Sequence, residues 1–425
     1  MAAKTIHSSR LAFRAEATQG TGPTTWDDEQ QIDHISVDVS KIAQSLIADP
    51  TLETTINASG GRTMIKGLRS CEMPASLKLT GSGVTTSAAS QIALTPMMTI
   101  GKHCWGGIHR SNSTTLTGGT ATEPEFTAVT NIVVGCVVGF EDNTSPGVNA
   151  GKVFLRRVVA IDALVVTLDR ALPFTPAATD KVHGVATIYF DEDYLTDSRA
   201  NTGTFSWFVQ LARSGATDLC WELLGTAAQL SFTGMTRNGL PGIDLNIMAA
   251  NFNHGGLTVP TWSGTSYGFA QLAIGRDTQF SLVEYSAVGA VANVLMDCSS
   301  IAIEPGIPRV ALDTVTEVED NMEGRAGYST EPAPTTATVT IGIGEHSGKY
   351  ETELQADTEY ALSYSQVAAA GKVWGIFMPK VQIGANPSDA AINAIHGAQI
   401  KFQARVPDDA GTTTIASSKI LLAIG

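Results

Sequence analysis

The sequence predicts a mainly β protein: two tandem copies of one β-rich unit, each with a short helix, and a small extra β-unit inserted into the first copy. Three observations lead there. The first is composition. Across 425 residues, Thr, Ser, Ala, Gly and Val dominate and only 16% are charged. That balance favours strands and turns over a helical bundle. The second is repetition. Leu11-Ala12-Phe13-Arg14 recurs as Leu272-Ala273-Ile274-Gly275-Arg276, and Asp38-Val39-Ser40-Lys41-Ile42 as Asp297-Cys298-Ser299-Ser300-Ile301. Ser70-Cys71-Glu72-Met73-Pro74, with the alternating Ala75–Thr80 behind it, recurs as Ser329–Pro334 and Ala337–Thr340. One offset of 259 to 261 holds across these blocks, as a tandem duplication requires.

The third observation is that the offset then falls. Phe208–Ala212 matches Tyr364–Ala368, Trp221 matches Trp374, and Gly242 matches Gly397, at separations of only 153 to 156. The first copy therefore carries roughly 105 extra residues between Thr80 and Phe205. The domain reading is residues 1–109 and 201–265 for the first unit, 110–200 for the insertion, and 266–425 for the second unit.

Each element has its own signal. Residues 1–34 are a polar arm, and His34–Val39 alternates as a first strand. Asn57-Ala58-Ser59-Gly60-Gly61 makes Thr51–Gly61 a loop. Ala75–Thr80 is a half-buried strand, and Gln91–Cys104 a short helix with Ile92, Leu94, Met97, Met98 and Ile100 on its apolar side. In the insertion, Val153–Val159, Leu164–Leu168 and Val182–Tyr189 read as strands. The first copy resumes with Phe205–Leu211, Leu219–Leu224, Gln229–Thr233 and Ile243–Met248. The second copy offers Tyr360–Gln366, Val373–Gln382, Gln399–Arg405 and Lys419–Ile424. A helix is expected to open at Asn386-Pro387 and stop at Gly397.

Charge and cysteine usage exclude several function classes. The net charge is −14, with 27 basic and 41 acidic residues, which disfavours a protein that grips nucleic acid through its phosphates. Cys71, Cys104, Cys136, Cys220 and Cys298 are odd in number and contain no CxxC, so neither a disulfide framework nor a zinc site is expected. Met1–Arg10 lacks an apolar signal core, and the apolar run Ile132–Phe140 is too short to span a bilayer. Folding in a reducing cytoplasm is the expectation.

Lys372-Val373-Trp374-Gly375-Ile376-Phe377-Met378-Pro379-Lys380-Val381 resembles the aromatic strand and Pro-Lys-Val corner of the tail tube (major tail) proteins of long-tailed bacteriophages. Thr217–Thr233 resembles the block before that family's closing hairpin. The first copy lacks the Pro-Lys-Val corner, and the insertion is not part of the family's basic unit. The resemblance implies a β-sandwich or barrel unit with one flanking helix, six units to a ring, and rings stacked into a tube through which the genome passes. A chain with two units then needs three copies per ring. It also implies self-assembly as trimer rings that stack, and partners such as tape measure, terminator and tail tip proteins. DNA passes without specific binding, there is no membrane partner, and the protein resides in the virion after assembly in the host cytoplasm. An acidic lumen would repel the DNA backbone and let it slide. Glu351, Glu353, Asp357 and Glu359 are lumen candidates, the alternative being solvated outer acids. The loop Asp313–Gly327, with Glu317, Glu319, Asp320 and Glu323, is the candidate contact to the adjacent ring, the alternative being a surface loop. Trp221 and Trp374, at matched positions, are core or interface aromatics. The insertion is expected to face outward.

Rival readings rest on thinner signals. Gly264-Thr265-Ser266-Tyr267-Gly268 fits GxSxG, with Asp313 and His346 following in hydrolase order. A chain this rich in Gly and Ser produces that pattern readily by chance. His103, Cys104 and His109 suit no familiar metal spacing, and Asp191-Glu192-Asp193 with Asp197 lacks the glycine and the closing carboxylate of a calcium loop, Thr202 standing there instead. No catalytic residue, metal ligand or cofactor is therefore assigned. The remaining alternative is a virion adhesin or head decoration protein of tandem β-sandwiches.

Overall fold

The computed structural model describes residues 9–16, 20–23, 26, 31–32, 34–43, 46–48, 64–66, 69, 71–85, 90–144, 147–191, 204–211, 219–236, 238–254, 257, 277–290, 295–313, 325–331, 333–342, 349–392, 395–407 and 413–425. The chain is mainly β, with several sheets and one closed six-stranded barrel. The first unit contributes β1 (Ser9–Ala15), β2 (Gln31–Ile32), β3 (His34–Val37), the hairpin β4 (Leu46–Ala48) and β5 (Met64–Lys66), β6 (Cys71–Lys78), α1 (Pro96–Trp105) and β7 (Gly106–Arg110). The barrel is β8 (Thr114–Gly119), β9 (Pro124–Phe126), β10 (Val137–Glu141), β11 (Val153–Asp162), β12 (Val165–Leu168) and β13 (Lys181–His183). After β14 (Ala186–Phe190) the first unit resumes with β15 (Phe205–Leu211), β16 (Leu219–Thr233) and β17 (Gly242–His254). The second unit holds β18 (Thr278–Glu284), β19 (Cys298–Glu304), the hairpin β20 (Arg309–Asp313) and β21 (Arg325–Thr330), β22 (Thr336–Gly342) and α2 (Lys349–Gln355). It continues with β23 (Glu359–Gln366), β24 (Trp374–Ile383), β25 (Ser388–Ile392), β26 (Ile395–Ala404) and β27 (Leu421–Ile424).

The two units share one topology. The first runs β1-β15-β16-β17-β6-β3, with β2 added outside β1. The second runs β18-β23-β24-β26-β22-β19, strand for strand the same order and likewise antiparallel. Each unit has its two-stranded hairpin just before β6 or its counterpart β22, and its helix just after. Register fixes the residue equivalences. Phe205 faces Thr226 and Trp207 faces Leu223, with a bulge between; in the second unit Tyr360 faces Val381 and Leu362 faces Met378, with the same bulge. Another bulge separates His34↔Leu77 from Ser36↔Ser76, and recurs between Cys298↔Ile341 and Ser300↔Thr340. Leu11↔Val209 then matches Phe280↔Tyr364, which fixes the equivalence of β1 and β18. Bulges are local features with a set register, so two at matched places make the likeness of the two units specific in register as well as in strand order.

These pairings correct the sequence alignment: Leu11 corresponds to Phe280 rather than Leu272, Asp38 to Ala302 rather than Asp297, and Cys71 to Thr335 rather than Thr330. Trp221 corresponds to Ile376, and Trp374 to Leu219, so the two tryptophans are not equivalent. The tryptophan match slipped by two, which keeps a strand residue on the same face, whereas Phe208 corresponds to Ser363 rather than Tyr364, a slip of one that changes face.

The helix near Gln91–Cys104 forms over Pro96–Trp105, with Pro96 in its first turn and Gly106 at φ 93 ending it. The expected helix from Asn386 is instead the strand β25, paired with β26 from Ser388↔Gln399 to Ile392↔Ile395. The second unit's helix is α2, whose Tyr350 is buried and Leu354 half-buried on one face. Val182–Tyr189 is two strands in different sheets: β13 closes the barrel, while β14 pairs with β7 and β27.

That last pairing changes the domain picture. β24 pairs with β26 through Val381–Ile383 and with β27 through Trp374–Phe377, and β27 continues into β14 and β7. The strands at the root of the insertion thus extend the second unit's sheet. One contiguous apolar cluster includes Leu11, Trp207 and Leu245 of the first unit, Ile100 and Trp105 of α1, and Ile301, Tyr360 and Ile424. The barrel has its own core, around Phe126, Phe140 and Leu155, which also takes in Val373, Phe377, Leu421 and Ala423. Each such fully buried side chain contributes about 1.5–3 kcal/mol by leaving water. No described helix is long and apolar enough to cross a membrane.

Candidate functional site

The most developed polar site in the described chain lies where the second unit meets the bulge of the first. Gly225 sits in that bulge at φ 57, a left-handed conformation that glycine adopts without steric cost. The bulge turns both of its backbone groups out of the ladder. Its N–H donates to Glu16 Oε1 at 2.8 Å, and its carbonyl accepts the Tyr328 hydroxyl at 2.5 Å. Tyr328, on β21, is 1% exposed and also lies 3.1 Å from the Met248 carbonyl. It packs with Ala227, Met248 and Ala250 of the first unit's sheet. Glu16 is 3% exposed and accepts from Thr204 Oγ1, Ser206 Oγ and the Gly20 N–H as well. Burial pushes its carboxyl above the usual range, and the four donors pull it back.

The second unit has a different polar group at the same three positions. By strand register, Glu16, Thr204 and Gly225 correspond to Tyr285, Glu359 and Lys380. Lys380, only 5% exposed, pairs with Glu359 at 3.0 Å and stands 4.9 Å over the Tyr285 ring. Its carbonyl accepts the Arg405 N–H of the unit's own sheet rather than a side chain from elsewhere.

Two further contacts tie the parts together. The connection between β16 and β17 meets β19: Thr236 bridges Ser300, and the Ile301 N–H donates to the Met235 carbonyl at 3.3 Å. A cavity of about 260 Å³ lies beside it, lined by Met235, Phe280, Met296, Cys298 and Tyr364 among others. The barrel is held by Val153 N–H to Ala368 O at 2.7 Å, by Lys152 to Asp277 at 2.9 Å, and by Arg170 to the Ser363 hydroxyl. Arg156 is fully buried and donates twice to the Ala171 carbonyl. Burial, then the nearby Arg170 charge, drive its affinity for its proton well down.

The sequence candidates do not form one site. Glu351 and Glu353 lie on α2, where Glu353 pairs with Lys349 at 3.3 Å. Asp357 accepts from Gln382 Nε2 at 2.9 Å, and Glu359 belongs to the Lys380 group. Glu317, Glu319, Asp320 and Glu323 lie outside the described residues, as do Ser266 and His346 of the GxSxG reading and Glu192, Asp193, Asp197 and Thr202 of the acidic turn. Trp221 is 9% exposed and packs 5.6 Å from the His254 ring; Trp374 is buried against Tyr364 at 5.8 Å. His103 packs into the core 4.0 Å from the Phe205 ring, whereas His109 Nε2 sits 2.9 Å from the Asn131 carbonyl. Burial pushes the Cys104 thiol up to about 12. Among the described residues no group of three or more His, Cys, Asp or Glu side chains converges as a metal site.

Sequence reasoning missed the acids on the open face of the first sheet. Glu72 and Asp244 flank a shallow groove with Lys41, and Asp244 Oδ1 accepts from Ser76 Oγ at 2.6 Å. The alternation of Cys71, Met73, Ala75 and Leu77 against Glu72, Pro74, Ser76 and Lys78 was the signal for that face. The corresponding face of β26 carries exposed Gln399, Lys401 and Gln403 and runs on into exposed Arg405, so the two open faces differ in charge.

No protein-family model matches the chain, and comparison with curated proteins finds no relative.

Proposed function

We propose that this protein is a structural virion component, the repeating unit of a bacteriophage tail tube, with three chains forming a ring of six equivalent units. The observation that carries the reading is the repeated six-strand order with its matched bulges, helix and hairpin, which makes each chain two copies of one building block. With two units per chain, three chains joined by a heterologous contact that closes on itself supply the six units of a ring. The net charge of −14 suits a conduit that DNA traverses without binding. The virion location, and tape measure, terminator and tail tip proteins as partners, follow from this reading and stand or fall with it. The test is the mass of the purified protein in solution, which should fall on multiples of three 44.6 kDa chains. A monomer or dimer at every concentration would favour an adhesin or head decoration role.

A further inference from the structure

Within the chain, the two units meet through unlike surfaces: the β16–β17 connection of the first touches the β19 edge of the second. The duplication supplies one more copy of each surface, on opposite units. The counterpart of β19 is β3, and the matched bulges make Ser36 and Val37 the equivalents of Ser300 and Ile301. The pairing of β16 with β17 and of β25 with β26 carries Met235 onto Ile392, the last residue of β25, because Gly242 faces Thr233 and its equivalent Gly397 faces Ala390.

We propose that chains join head to tail through β3 of one chain and β25 of the next, repeating between chains the contact that joins the units within a chain. This rests on the ring reading and supplies its contact surface. Both strands end their sheets among the described residues: β3 pairs only with β6, and β25 only with β26. An open edge presents backbone groups ready for another strand. β3 is also exposed where it would be covered, with Ile35 at 51% and Ser36 exposed; Ser388 and Asp389 of β25 are exposed too. Hydrogen-bond phase agrees. Asp38 donates inward to the Pro74 carbonyl, so alternation along an antiparallel strand turns the Val37 N–H outward. Ile301, its counterpart, uses that same outward N–H to reach Met235.

The Tyr328 half of the internal contact is not repeated. Met64 stands at the position equivalent to Tyr328, and the Lys380 carbonyl that replaces Gly225 O already accepts the Arg405 N–H. The contact between chains is therefore the lighter of the two, as a joint made after folding would be.

The experiment mixes full-length Val37→Cys chains with Ile392→Cys chains and treats the assembled rings with a short bismaleimide cross-linker. A two-chain product is expected only from the mixture, with either variant alone as the control. In parallel, Val37→Pro removes the outward N–H but leaves the Asp38 bond, so the chain should fold with unchanged circular dichroism and assemble about tenfold more weakly or not at all. Rings of normal mass that neither cross-link nor respond to Val37→Pro would overturn this contact while leaving the ring reading intact. Wild-type protein that never assembles would overturn both.

Discussion

Replacing Tyr328 by Phe removes one hydroxyl from the junction between the units and nothing else. That hydroxyl is buried, 2.5 Å from the Gly225 carbonyl and 3.1 Å from that of Met248. Among the described residues Gly225 is not paired in the β16–β17 ladder, which passes from Leu224↔Asn251 to Thr226↔Ala249. Its carbonyl is thus left without its donor in a site too closed for water to enter freely. A net hydrogen bond contributes about 1 kcal/mol, and a stranded buried acceptor costs about 1–3 kcal/mol, so the expected loss is about 2 kcal/mol. The assay is urea unfolding of the full chain at neutral pH, read as a lower midpoint at unchanged slope. Hydrogen exchange should quicken at the Ile301 amide, which crosses the same junction. A change below about 0.5 kcal/mol, the range of an ordinary surface substitution, would refute the reasoning that this hydroxyl joins the units.

Other perturbations follow from the same geometry. Glu16→Gln should cost about 2 kcal/mol at neutral pH, because its amide must face a backbone N–H of Gly20 or Gly225 where the carboxylate accepted. The raised carboxyl of Glu16 holds its proton more tightly folded than unfolded, so its contribution is greatest below the ordinary value of 4.5 and declines as pH rises through the folded value. Denaturation curves across that interval should therefore be flatter with pH in the variant than in the wild type. Phe377→Ala opens a cavity between the barrel and the second unit and should lower stability by about 3–5 kcal/mol, measured by urea unfolding. Deleting residues 113–200 removes β14 and should break the second unit's sheet. Replacing residues 111–185 with Asn-Gly instead joins Arg110 to Ala186, which already face each other, and should leave the circular dichroism of a folded β protein.

A repeated unit was legible in the sequence, but its register was not: Leu11 corresponds to Phe280 rather than Leu272, and Ser36 and Ser76 to Ser300 and Thr340, so the early blocks matched at one offset are not the equivalent residues. Ala, Ser and Thr recur so often here that a strand slides by a few positions and still matches, as Trp221 and Trp374 show. The true equivalences reside in the bulges, which depend on pairing between strands far apart in sequence. The same reason hid the root of the insertion. Val182–Tyr189 reads as one apolar run, and only tertiary pairing assigns Lys181–His183 to the barrel and Ala186–Phe190 to the second unit. α2 escaped notice because seven residues with one apolar pair, Tyr350 and Leu354, give little periodicity. Asn386-Pro387 imitated a helix start, while the alternation that makes β25 a strand is only five residues long. Of the site, the acids at Glu72 and Asp244 could have been found from strand alternation. The Gly225 group could not, since Glu16, Gly225 and Tyr328 are distant in sequence and share no motif.

Electron microscopy of the purified, concentrated protein tests the central claim most directly. The account predicts stacked rings with an open pore, each built from three chains and showing six similar lobes in projection. Discrete particles of one or two chains, with no pore and no stacking, would contradict it.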